Sequence, residues 1–94
     1  MTYYDFRNLA ATNTATLPTD YWVTFSTDGG GTFGNEAHLS GSFDMLTAPN
    51  ARGFFVGDYQ GLASSGSTFR PLFVAANSGN VSNRTDVFTA GVAP

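Results

Sequence analysis

Three consecutive glycines at positions 29, 30 and 31, bracketed by Ser26, Asp28 and Thr32, divide two stretches that favour extended chain. Before them stand Tyr21, Trp22, Val23, Thr24 and Phe25, a β-branched and aromatic run suited to a pleated, half-buried surface. After them, residues 36–40 form a weaker strand, so residues 21–40 are expected to make one hairpin with the glycines in its turn. An Asp28 carboxylate can accept backbone N–H bonds across such a turn, and Gly30 can take a backbone conformation that other residues resist. Thr32 is expected to bond back to the loop, with Phe33 packed beneath it.

The rest of the chain carries the same signature, with no apolar pattern that holds a helical period for three turns. Residues 3–6 form a short aromatic strand, and residues 7–20, rich in Asn, Thr and Ala and containing Pro18, read as a long loop. Residues 43–52, with Pro49, read as a connection between two sheets. Three further strands are expected, at 54–64, 68–76 and 85–89, the first interrupted by Gly57 and Gly61. Pro71 lies inside the second of these and has no N–H to give a ladder, so it must face an edge, a bulge or a non-pairing position. The pattern predicts an all-β chain of about six strands in two consecutive groups of three.

Composition narrows the function classes. Hydrophobic residues make up 41% of the 94 and aromatics 15%, too apolar for a disordered chain and enough for one small domain that is marginally stable alone. Seven acids against four arginines and no lysine give a net charge of -3, which lacks the basic footprint of a nucleic-acid binder. There is no cysteine, hence no disulfide, thiol nucleophile or thiolate metal site. His38 stands without a second His at ligand spacing, and no metal or cofactor is expected. No segment reads as a signal peptide or membrane span. The glycosylation-type triplets at Asn80 and Asn83 sit in a polar loop and carry no functional weight, since such triplets recur by chance.

Ser26, Asp28, Gly30, Thr32 and Phe33 fit, position by position, the pattern Ser-x-Asp-x-Gly-x-Thr-aromatic. With residues 3–7 (Tyr-Tyr-Asp-Phe-Arg) and 53–63, which include Gly57-Asp58-Tyr59-Gln60-Gly61, the chain resembles the C-terminal part of bacterial sialidase-like, or BNR-repeat, β-propeller proteins. The resemblance implies that residues 26–33 are an Asp-box, a structural hairpin device away from the substrate pocket. It implies about one and a half blades of four antiparallel strands. Residues 1–42 would hold strands B, C and D of one blade, and residues 53–94 strands A, B and C of the next. The chain is thus expected to begin and end in mid-blade, as part of a larger propeller or as a homo-oligomer in which three copies approximate a six-bladed ring. The resembling proteins are mostly exported.

Sialidases of this resemblance hold the substrate carboxylate with three arginines and use a tyrosine nucleophile activated by a glutamate, with an aspartate as acid/base. Glu36 is the single glutamate and is expected beside the Asp-box, where it cannot serve the tyrosine, so no catalytic residue is assigned. Arg7, Arg52, Arg70 and Arg84 suffice in number for a carboxylate clamp, but each reads more simply as a solvated or locally ion-paired group. Asp58 and Tyr59 in an apolar innermost strand, with Arg52 as the partner of Asp58, are candidates for a ligand site or an inter-blade tie, as is Arg7. Tyr3, Tyr4, Trp22 and Phe25 are expected in the core rather than as a sugar platform. The expected function is that of a non-catalytic propeller module in structure and assembly, with glycan binding once oligomerised. The alternatives are an exo-sialidase fragment that is inactive alone and a lectin-like module with sites between blades.

Overall fold

The computed structural model describes residues 1–94 and contains six strands in two separate three-stranded antiparallel sheets. The first sheet has the order β1 (Thr2–Asp5), β2 (Pro18–Phe25), β3 (Gly34–Asp44), and the second β4 (Gly61–Ser65), β5 (Thr68–Ala76), β6 (Thr85–Thr89). The all-β, six-strand expectation holds, while the two sheets do not close into a barrel or a ring. Both hairpins of the second sheet keep one register, and the tight β4–β5 turn uses Gly66 at φ 60° where a two-residue hairpin needs a positive φ.

Beyond a one-residue shift of β1, three strands differ from the sequence reading. β2 begins at Pro18, inside the expected loop, because a strand's first residue tolerates a missing N–H. β3 is more than twice its expected length. It pairs with β2 through three register shifts, so its 11 residues oppose the 8 of β2. The expected strand at 54–64 is confined to Gly61–Ser65, with an isolated bridge from Asn50 to Phe54. Arg52, Gly53 and Gly57 have positive φ, which bends the chain out of a pleat.

The sheets stack through a thin apolar layer. Tyr21 of β2 lies on Phe73 of β5 with ring centroids 4.2 Å apart, Phe25 approaches Phe69 at 5.7 Å, and Tyr4 contacts Tyr21 at 4.7 Å. Phe43, Ala48, Ala75 and Ala76 form a small buried cluster beside them. Only 11 of 94 residues are buried, so the layer is shallow for the number of aromatics present. Burial raises the pKa of Tyr21 and Tyr4, and both keep a polar handle: the Tyr21 hydroxyl donates to Gln60 Oε1.

Tyr4 also completes a broken ladder. Asn77 N–H donates to Arg84, and Phe69 exchanges two bonds with Val92, so the odd-numbered residues of β5 bond towards β6 and the even-numbered ones towards β4. β4 starts at Gly61 opposite Leu72, which leaves the backbone groups of Val74 without a partner on the β4 side. The Tyr4 hydroxyl donates to Val74 O and accepts from Val74 N–H, standing in for that strand. The same parity explains Pro71 in a central strand. Its missing N–H faces the register position of Ala90, in the gap between Thr89 and the bridge at Val92.

Candidate functional site

Strand alternation gives β2 two unlike faces. Tyr21 and Val23 turn to the second sheet, while Asp20 and Trp22 turn away, with Tyr3 and His38 paired across Trp22 and Asp5 paired across Asp20. On that outer face Asp20 is 1% exposed and accepts three hydrogen bonds. Asn8 Nδ2 and Ser42 Oγ donate to its Oδ2 at 2.9 and 2.8 Å, and His38 Nε2 lies 2.8 Å from Oδ1. Burial alone would raise the Asp20 pKa, but the bonds from Ser42, Asn8 and His38 and the attraction of His38 outweigh it and hold the carboxyl below its ordinary value. An ionised carboxylate only accepts, so Nε2 of His38 carries the proton in this contact.

The irregularity of β3 makes this contact possible. A Cβ on Gly41 would lie 2.6 Å from His38 Cε1, so the absence of a side chain there leaves the ring room to reach Asp20. Ser42 donates to Asp20 and not to His38, so the three residues do not align a hydroxyl nucleophile with a base.

Arg7, from the β1–β2 loop, returns over the same face. Its guanidinium lies 4.0 Å from the centre of the Trp22 ring and pairs with Asp5 and Glu36, while Tyr3 donates its hydroxyl to Glu36. Glu36, expected beside the turn, lies on β3 just beyond it and accepts from Tyr3 there. Trp22 Nε1 is buried without a hydrogen-bond partner, and the ring lies 4.5 Å from that of His38. Contrary to the expectation that these aromatics are core, Tyr3 and Trp22 belong to the outer face, while Tyr4 and Phe25 face the second sheet.

At residues 26–33 the contacts are local. Ser26 Oγ donates to Asp28 Oδ1 and accepts from Gly30 N–H; Thr32 N–H donates to Asp28 Oδ1 and the Thr32 hydroxyl to Oδ2. Gly29 and Gly30 have φ of 73° and 95°. The bonds from Thr32, then Ser26, hold the Asp28 carboxyl far below the usual carboxylate range. Phe33 is 50% exposed, so it does not plug the turn from beneath; it lines a shallow cavity of about 180 Å³ with Phe25 and Asn35.

Asp58 and Tyr59 require a correction. Both lie outside any strand and are exposed, Tyr59 at 90%, and Asp58 has no pairing with Arg52. The strand that would have buried them starts only at Gly61. Nor do the arginines converge. Arg7 holds acids on the first sheet, Arg52 sits in an exposed bend, Arg70 is on β5, and Arg84 donates to Thr47 O beside a second cavity of about 220 Å³. Both cavities fall short of the roughly 300–1,000 Å³ usual for ligand pockets. The sequence reading missed Asp20, Asn8, Ser42 and the role of His38. The alternation that puts a charged residue at 20 in line with Trp22 was their only signal.

Comparison with protein-family models, curated proteins and solved structures finds no match for this chain.

Proposed function

We propose that this chain is a non-catalytic, sialidase-like β-propeller module that works in structure and assembly, its turn at residues 26–33 serving as an Asp-box. The observation that carries the proposal is the pair of consecutive three-stranded antiparallel sheets. Each has three strands where a blade has four, and their orders are compatible with strands B-C-D of one blade followed by A-B-C of the next. Open edges and half-exposed Leu62, Leu72, Val87 and Phe88 favour association over a free monomer. The mass in solution by light scattering tests this: an oligomer is expected, and a folded monomer would overturn the assembly role.

The exo-sialidase fragment is the rival. It gains a tyrosine–glutamate contact at Tyr3 and Glu36 but has Arg7 alone there, against the three arginines of the resembling enzymes. No turnover of a fluorogenic sialoside is expected; turnover would favour the rival. A glycan-binding role would draw on the outer face of the first sheet, where Tyr3, Glu36 and His38 surround Trp22. On that reading the sugar would meet Trp22 rather than Tyr59, which lies outside any strand. In a glycan array, binding should be lost in Trp22→Ala and kept in Tyr59→Ala.

A further inference from the structure

The four sheet edges are not equivalent. β3 is interrupted by register shifts, which spoil the regular spacing a new strand needs. On β1, Met1 and Thr24 exchange bonds, so only Thr2 and Tyr4 direct backbone groups outward. On β4, residues 61, 63 and 65 bond towards β5, leaving Leu62 and Ser64. On β6 the parity set by Asn77 and Phe69 turns residues 84, 86, 88 and 92 inward and leaves Thr85, Val87 and Thr89 outward. β6 is thus the longest regular open edge.

It is also unguarded. Natural sheets commonly protect such edges with lysine, proline or a bulge. The chain has no lysine, β6 has no proline, and its register stays constant to the bridge at Val92. The one charge on β6, Asp86, is held by Asn77 and Asn83.

We infer that β6 pairs antiparallel with β6 of a second copy about a two-fold axis at Val87, joining two three-stranded sheets into one. The edge is complementary to itself. Thr85 meets Thr89 of the second copy, Val87 meets Val87, and each such pair exchanges two N–H···O bonds. Val87, 63% exposed, and Val74 opposite it then form an unbroken apolar row across the joined sheet. Asp86 faces Phe88 of the second copy and not its own equivalent, so no like charges meet at the seam. The inference rests on the assembly role proposed above and names its surface.

Light scattering of the full chain and of Val87→Lys and Val87→Glu tests it, with fold checked by circular dichroism. The wild type is expected at twice the chain mass. Each variant alone, with like charges at the axis, should dissociate about tenfold or more readily, and an equimolar mixture should recover the dimer. A second measurement uses the wild type only: the Thr85, Val87 and Thr89 amides should gain hydrogen-exchange protection as concentration rises. An oligomer of another size, or one that both variants retain, or edge amides unprotected at every concentration, overturns the β6 pairing while leaving the assembly role standing. A folded wild-type monomer overturns both.

Discussion

Asp20 and Asp28 are both carboxylates fed by several donors, and they differ in how far those donors come. Around Asp28, Ser26 and Thr32 lie within four residues, so the chemistry of the turn is written in adjacent letters. Around Asp20, the donors lie 12, 18 and 22 residues away, and only the pairing of β2 with a bulged β3 assembles them. Asp20→Ala strands these donors on a face they now share, and should cost about 2 kcal/mol or more in urea denaturation. Gly41→Ala should cost about 1–3 kcal/mol by overpacking. Most of that loss should vanish in a His38→Ala background, because the clash is with the imidazole. Acid should act in one direction. The folded pKa values of Asp20, Asp28 and Asp86 are lowered, so their contribution is fully present above the unfolded value of about 3.9 and is lost as pH falls towards the folded values. Stability measured against pH should begin to drop near pH 4, and Asp20→Asn should make that acid limb shallower.

At the level of elements, β5 and β6 have the expected bounds because alternation and turn residues coincide there, with Gly66 on one side and the polar 77–84 loop before β6. The expected strand at 54–64 fails at Phe54, Phe55 and Val56, which look like a strand by composition. Positive φ at Gly53 and Gly57 bends the chain on either side of them, and a local run of β-formers cannot overcome a backbone that turns away. This failure removes the burial expected for Asp58 and leaves Val74 to be bonded by a side chain. Tyr4→Phe, which keeps the ring and removes the hydroxyl, should therefore destabilise by about 1–2 kcal/mol. Hydrogen exchange at the Val74 amide should speed up more than at the β6-facing amides of Phe73 and Ala75.

For the molecule as a whole, a shallow aromatic layer carries the contact between sheets. Phe73 stacks on Tyr21 and lies 6.0 Å from Phe88, so Phe73→Ala should cost about 3–5 kcal/mol, a large share of the roughly 5–15 kcal/mol typical of a domain. In thermal melts this variant should be largely unfolded where the wild type is folded. If association buries the open edges, the wild-type Tm should also rise with protein concentration, whereas a stable monomer would show a constant Tm.

The amino-acid sequence by itself determined the all-β class, the grouping of strands into two threes, and the turn at residues 26–33, since each depends on period-two patterning or on neighbours a few residues apart. The tertiary structure alone decided the outer face with Asp20, His38 and Arg7, the exposure of Tyr59, the substitution of Tyr4 for a missing strand, and which edge stays open. Those features depend on register and on bulges. Shifting a strand by one residue exchanges its faces without changing a letter of its sequence.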